Sequence, residues 1–509
     1  MPRRRRRASV AYPRDTETAE RVAAVAEAAE RRYGLAEKAA RWRSLAFAAG
    51  DELADGPVLA LDDYSEIPFL QDIVGVPWYQ YRARVRCGDG DWYAVARPAI
   101  PGYEEYNRDY LGLGRARVIR LGPACHDDLA LAASLRADAA SFGTLCDVAR
   151  REGGLVLHPY MGIEPVWRLA ESIRTQTGAA VRVLAPYPEV TRLANDKARF
   201  SEVVRKLLGA DALARTTTTN DASLIAELLR AEVERSETVA LKMPSCASGM
   251  GNRLFDARSL RGKSPETFHA LVDRFLEEKE WNGCDPVLVV EWHRDVIESP
   301  STQCWIPPEG AGEPEVEEVY QQFLLGEEQV FEGAMLSGLP RRIRHDLMTA
   351  SWSICRVFQT LGYVGRCSFD ALVVGKTLEN ARVKLVECNG RWGGTSTPMH
   401  LVKRVFGDFR RVPYKAQDYV DPRLRGLDFV GLMELFEGQL YDRRTGKGRV
   451  LLYNVGGITE HGKFDLAVTG RTYAEIERYL STRIPGLVTR YLRRGGRTRS
   501  DQNGSPRPA

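Results

Sequence analysis

Two apolar runs, CSFDALVV (367–374) and RVKLVECN (382–389), are separated by a short connection that contains Gly375 and Asn380. Each run has strand length, and the turn residues between them predict a hairpin. The charged residues inside these runs constrain the chain most. Asp370 falls on the face of its strand away from Phe369. Residues i and i+2 of a strand share a face, so Glu387 and Asn389 project together. Pairing of the two strands lets all three converge. A carboxylate beside an apolar run costs free energy unless something pairs with it. Two partners answer. Three oxygen ligands of this kind suit Mg²⁺, a hard cation that shares phosphate oxygens. Alternatively Arg366 and Arg391, which flank the cluster, pair with the carboxylates. The arginine-only reading leaves Asn389 unexplained.

Upstream segments extend the pattern. ETVALKMPS reads as a strand on which Lys242 points away from Leu241 and Met243, so that it must snorkel or meet an anion. Only 12 of the 72 basic residues are lysine, which makes each one a rare choice in this chain. The turn SCASGMGN (245–252) follows, with small residues that let backbone N–H groups approach an anion. A plain hairpin turn is the commoner meaning of such a stretch. PVLVVEWHRDV is a buried strand ending at Glu291, with Trp292 and His293 beyond it; it reads either as a strand end meeting solvent or as a hinge facing an adenine edge. RGKS (261–264) and GKT (375–377) end like a phosphate-binding P-loop. They lack the glycine five positions earlier, where Ala257 and Asp370 stand, so a P-loop is excluded.

A chain of 509 residues exceeds what one core organises, and several domains are expected. Residues 1–15 read as a disordered basic tail. Residues 16–50 read as helix, rich in Ala, Glu and Arg. GPVLALDDY, YAVARPAI, ARVIRLG and GLVLHPYM then alternate with helical stretches, which predicts an α/β unit with a parallel sheet over 16–190. Pro186 and Pro188 mark a boundary, followed by a helix from about Thr191 to Leu208. A second unit spans 191–405, divided near 290. Residues 406–492 read as a small α+β unit and 493–509 as a basic, disordered tail. The arginine-rich tails come without a nucleic-acid-binding fold, so no nucleic-acid partner is expected. The nine cysteines include no CxxC pair, which argues for reduced thiols and a cytoplasmic setting. No basic N-terminal stretch is followed by an apolar signal core, and no apolar run reaches membrane-spanning length.

The order of parts is Lys197 in LANDKARF, Lys242, the glycine turn, Glu291, Asp370, then Glu387-x-Asn389-x-Arg391. That order resembles the ATP-grasp superfamily over residues 190–405. LHPYMGIEPVWRLAESI is similar to a Rossmann-like preATP-grasp α/β domain, and NVGGITEHGKFDLAVTG to a small C-terminal domain. With SGMGN and ECNGRWGGTSTP, the whole resembles the pheganomycin-type ATP-grasp peptide ligases. The resemblance implies an α/β and α+β multidomain protein that holds ATP between two subdomains, 191–290 and 291–405. It implies an ATP-dependent ligase joining a small-molecule carboxylate to a peptide or amino-acid amine through an acyl phosphate, in natural-product (antibiotic) biosynthesis. A dipeptide ligase of the same fold and a non-catalytic nucleotide-binding protein stay open as alternatives, and a homodimer is admitted. By position, Lys197 and Lys242 would contact phosphates and Ser248, Gly249, Met250 and Gly251 would form the lid. Glu291 and His293 would flank adenine and Glu298 would reach the ribose. Asp370, Glu387 and Asn389 would hold Mg²⁺, while Arg391 and Arg366 would stabilise the transferring phosphoryl group. The turn is poorer in glycine than many ATP-grasp lids.

Overall fold

The structure is a computed structural model that describes residues 12–13, 15–53, 56–122, 128–246, 249–326 and 330–495. Lys197 and most of the glycine turn fall inside this set; Ala247 and Ser248 of the turn lie outside the described residues, as do most of the two basic tails expected at 1–15 and 493–509.

Five parallel strands form the first sheet: β1 (Val58–Leu61), β2 (Trp92–Val95), β3 (Arg117–Arg120), β4 (Gly154–Pro159) and β5 (Ala180–Val183), in the order β3-β2-β1-β4-β5. β1 and β4 are buried along their whole lengths, which is why they read as unbroken apolar runs in the sequence. The strand order reverses between β1 and β4. Ligands of open α/β sheets bind beyond the carboxyl ends of the strands at such a point. Tyr64 and Tyr160 stand just past those two ends.

A small antiparallel sheet follows, with β6 (Thr216–Thr219), β7 (Thr238–Lys242), β8 (Asn252–Asp256) and β9 (Val287–Glu291) in the order β6-β9-β7-β8. Alternation divides its two faces. Val239, Leu241, Val287 and Val289 pack under the helices Ala222–Val233 and Pro265–Glu278. Ala240, Leu288 and Val290 face the other way.

The third sheet is large and antiparallel. It comprises β10 (Val296–Glu298), β11 (Pro300–Ile306), β12 (Glu315–Leu325), β13 (Val330–Leu336), β14 (Gly365–Val374), β15 (Arg382–Asn389), β16 (Tyr414–Val420), β17 (Val450–Asn454) and β18 (Lys463–Thr469). β14 and β15 pair as the expected hairpin. The C-terminal strands do not form a sheet of their own: β16 pairs with β13 and β18 with β16, so residues 414–469 continue the sheet begun at Val296. Their core is shared with Tyr81, Tyr93 and Tyr103 from the N-terminal third.

Two further expectations are corrected. The N-terminal helix Thr16–Tyr33 does not pack with the parallel sheet. Its Val22, Val25 and Ala26 share a core with Phe200 and Val204 of the helix Lys197–Leu208 and with Phe358 of the helix Arg341–Thr360. The helix expected from Thr191 to Leu208 is two helices, Pro188–Asn195 and Lys197–Leu208. Asp196 breaks them. Its backbone is extended and its carboxylate accepts from the N–H groups of Ala198 and Arg199, the capping role for which aspartate is suited. That break places Lys197 at the first turn of a helix.

Candidate functional site

A cleft of about 1130 Å³ lies where the three sheets meet. Its walls come from the carboxyl ends of β1 and β4, the cleft face of the small sheet and the β14–β15 hairpin.

On β14 the alternation is strict. Cys367, Phe369, Ala371 and Val373 point into the core, and Ser368, Asp370 and Leu372 into the cleft. β15 is more informative. Val383 and Leu385 pack against the core, and unbroken alternation from them would send Glu387 into the core as well. A bulge prevents this. Ala371 opposes Leu385 and Asp370 opposes Glu387, so Val386 is an extra residue. The bulge reverses the phase: Cys388 is buried, and Glu387 and Asn389 line the cleft.

Asp370, Glu387 and Asn389 therefore stand together. Asn389 Nδ2 donates to Asp370 Oδ2 at 2.9 Å. Burial, reinforced by the neighbouring Glu387 charge, pushes the Asp370 carboxyl up to about 6; hydrogen bonds from Ser301 and Asn389 oppose the rise. Glu387 is held below the usual carboxylate range. Burial works against this, and the Lys197 and Lys242 ammonium groups outweigh it. Lys197 Nζ lies 3.0 Å from Glu387 Oε2 and donates to the Cys246 carbonyl at 2.7 Å.

Lys242 ends β7 with its ammonium buried, 4.9 Å from the centre of the Trp292 ring. Burial pulls its pKa down to about 8, Glu387 raises it and Lys197 lowers it further. The glycine turn closes the same end of the cleft. Gly249 has φ of +75°, a left-handed conformation that favours glycine. A Cβ on Gly251 would meet Cys246 Cβ at 2.7 Å. Lys279 Nζ holds the Met250 carbonyl at 2.7 Å.

Glu291 ends β9 and lies 3.6 Å from Arg215 and 4.0 Å from His293 Nδ1. Burial keeps the His293 imidazole below its ordinary value, although Glu291 pulls the other way. Its Nε2 is buried without a hydrogen-bond partner among the described residues. Glu298 lines the cleft and accepts from Ser337 Oγ at 2.6 Å. Arg391 lines it too, 5.8 Å from the Tyr160 ring centre, and donates at 3.4 Å to the Trp392 carbonyl.

Arg366 is the residue that the structure sets apart. Its guanidinium is buried against Glu317, which also receives Lys403 at 3.2 Å, and lies over the Trp305 and Trp392 rings at 5.5 and 5.2 Å. Glu317 is the extra residue of a bulge in β12, where Gln303 opposes Glu318 and Cys304 opposes Val316. Arg366 is thus committed to a buried ion pair outside the cleft. The sequence pattern assigns no role to Trp292, Arg215, Ser301 or Tyr160. Trp292 stood inside a quoted motif, but no periodicity marks an aromatic ring as a neighbour of Lys242.

No protein-family model matches the sequence, and no curated protein matches it. Solved structures do match. An N5-carboxyaminoimidazole synthetase from Staphylococcus aureus, complexed with ADP, is 8% identical; the match covers 86% of this chain and 99% of that one with a TM-score of 0.50. The ADP complex of purK, an N5-carboxyaminoimidazole ribonucleotide synthetase, gives 10% identity, 86% and 98% coverage and a TM-score of 0.50. Rhizobium etli pyruvate carboxylase gives 11% identity over 84% of this chain and 37% of that one, with a TM-score of 0.51. The chain has the ATP-grasp fold. In this fold the small sheet and the β14–β15 hairpin face each other across the cleft, with Lys197 and Lys242 between them. Among the described residues no helix is long and apolar enough to cross a membrane.

Proposed function

We propose that this protein is an ATP-dependent carboxylate–amine ligase that forms an amide bond, with a peptide or amino-acid amine as acceptor, in natural-product assembly. The observation that carries the reading is the meeting of two lysines with Glu387 beside Asp370 and Asn389. Lys242 from the small sheet and Lys197 from the helix Lys197–Leu208 meet the oxygen donors of the hairpin.

The residues fit Mg·ATP. His293 Nε2 is a buried polar atom without a hydrogen-bond partner among the described residues, on the cleft wall. Leu254, Leu288 and Val290 offer an apolar surface near it for a flat base. Glu291 and His293 would flank adenine, and Glu298 would meet the ribose. Lys197 and Lys242 would take phosphate oxygens, beneath the turn of Gly249, Met250 and Gly251. Asp370, Glu387 and Asn389 would hold Mg²⁺ with hard oxygen donors. When bound, Mg·ATP would supply the phosphoryl group that converts a carboxylate into an acyl phosphate.

The chain's own task is charge placement and exclusion of water. Lys242 is poised for it: an ammonium held at about 8 has lost solvation and gains from an approaching phosphate. Arg391 stands on the cleft wall as the guanidinium nearest in sequence to Asn389, suited to a carboxylate or phosphoryl oxygen. No nucleophilic cysteine is needed; Cys388 is core. The described cysteines are free thiols, which suits a reducing, cytoplasmic setting.

Release of ADP, measured with Mg·ATP against panels of carboxylates and amines, tests the reading. Dependence on both substrates supports ligation. A preference for single amino acids on both sides would favour a dipeptide ligase. Nucleotide binding with no turnover on any pair would favour a non-catalytic binding protein.

A further inference from the structure

Glu387 and Asn389 are delivered to the cleft by a bulge, and such a segment needs an external hold. Asn195 supplies one. It is the last residue of the helix Pro188–Asn195. Its Oδ1 accepts the N–H of Gly390 at 3.0 Å. Its Nδ2 donates at 2.9 Å to the carbonyl of Thr191, on its own helix, and lies 3.5 Å from the Gly390 carbonyl. The two roles fix which end of the carboxamide is oxygen. The side chain is locked to its helix by one end and grips the Gly390 peptide with the other.

Gly390 is matched to this grip. A Cβ there would lie 2.8 Å from Asn195 Nδ2 and 2.9 Å from Ala194 Cβ. Only a glycine lets the backbone come against the helix end. Gly390 joins Asn389 to Arg391, both on the cleft wall. On the other side, Asn195 precedes the capping Asp196 and then Lys197, whose ammonium reaches Glu387. The tripeptide 387–389 is therefore bracketed. Lys197 holds its first residue by charge, and Asn195 holds the peptide that follows its last.

We infer that Asn195 is a positioning residue, whose grip on the Gly390 peptide sets where Asn389 and Arg391 stand. It touches no reacting group itself. The inference rests on the proposed reading, in which Asn389 is a metal ligand. Outer partners of metal ligands typically change metal affinity by about 10–100-fold when removed. The hydrogen bonds of Asn195 go to Thr191, Gly390 and Met161 and not to the base-binding wall around Leu288 and His293, so nucleotide affinity without metal is a separate measure.

The test uses the full chain as wild type, Asn195→Ala and Asn195→Asp. Three quantities are read: Mn²⁺ bound in the presence of saturating ADP, by electron paramagnetic resonance; ADP affinity without metal; and the melting temperature. In Asn195→Ala, Mn²⁺ affinity is expected to fall about tenfold or more, with ADP affinity and melting essentially unchanged. Asn195→Asp keeps an acceptor for the Gly390 N–H but loses the donor to the Thr191 carbonyl, and is expected to recover part of the Mn²⁺ affinity. Unchanged Mn²⁺ affinity in Asn195→Ala overturns the inference. A joint fall in Mn²⁺, ADP and melting, unrescued by aspartate, overturns it in favour of a purely structural role. Should Asn195→Ala not fold, Gly390→Ala reads the same contact from the other side: lost Mn²⁺ binding with retained ADP binding supports the grip, and retained Mn²⁺ binding removes it. A wild type that binds neither ADP nor Mn²⁺ would instead strike down the proposed function, taking this inference with it.

Discussion

Replacing Lys242 by methionine keeps most of the side chain's length and removes its charge. Two effects of opposite sign should follow. In the ligand-free protein the ammonium is buried, and its pKa of about 8 compares with 10.5 for an ordinary lysine. That difference corresponds to about 3 kcal/mol against folding with the charge in place. Part of it returns in the variant, because Glu387 loses one counter-charge; Lys197 remains 3.0 Å away. A net stabilisation of about 1–2 kcal/mol at neutral pH is the reasonable remainder. The sign can be checked through pH. The folded-state value is depressed, so wild-type stability rises between about pH 8 and 10.5 as the unfolded chain gives up its preference for the proton. Below pH 8 the penalty is constant. The methionine variant lacks this rise. Binding should move the other way. A unit charge about 4 Å from a phosphate oxygen contributes about 4 kcal/mol at an effective dielectric of 20, before desolvation. Even half of that is more than a tenfold loss of Mg·ATP affinity. Thermal melting with and without millimolar Mg·ATP reads both effects. The variant should melt higher alone and gain little from nucleotide. A variant that melts lower alone and keeps the full nucleotide shift would refute the assignment of Lys242 to a phosphate-binding cleft.

Three other perturbations test separate parts of the account. Mn²⁺ binding in the presence of ADP should weaken as pH falls through about 6, because the Asp370 carboxyl, raised to that value, then holds a proton that the metal must displace; pH-independent Mn²⁺ titrations between 5 and 7 would count against Asp370 as a ligand. Arg366→Ala should destabilise the fold by up to about 3 kcal/mol by leaving buried Glu317 with Lys403 as its one remaining cation among the described residues, with ADP affinity of the folded protein unchanged; denaturant unfolding and ADP titration measure the two. Gly251→Ala should weaken ATP binding without lowering global stability much, since its Cβ would press on Cys246 at 2.7 Å and reshape the turn; isothermal titration with unaltered affinity would remove the turn from the site.

The sequence pattern exposed some of this architecture and hid the rest, for physical reasons. The β14–β15 hairpin was legible because strict alternation makes Asp370 stand out among Cys367, Phe369 and Ala371. Lys242 was legible for the same reason, between Leu241 and Met243. The bulge at Val386 was not. It adds one residue without a turn signal, and only the observed register shows why Glu387 reaches the cleft while Leu385 is packed in the core. The strand Glu315–Leu325 escaped notice because Glu317 and Glu318 look like surface residues. They are buried instead, paired with Arg366 and Arg344. Those ion pairs also explain why Arg366 reads as an active-site residue from its neighbours in sequence and is not found in the cleft. The single long helix expected across Thr191–Leu208 missed the capping function of Asp196, which competes with helix continuation through its own side chain. The C-terminal strands seemed to be a separate unit because their pairing with β13 joins residues some eighty positions apart, a distance that local patterning does not report.

The central claim is that the cleft binds Mg·ATP between Lys242 and the Asp370–Glu387–Asn389 cluster. Isothermal titration of Mg·ATP into wild type and into Asn389→Ala tests it most directly. The account predicts saturable binding in the wild type that chelation of Mg²⁺ weakens, and little response to Mg²⁺ in Asn389→Ala. Absence of binding in the wild type at millimolar nucleotide, or equal Mg²⁺ dependence in the two proteins, would contradict it.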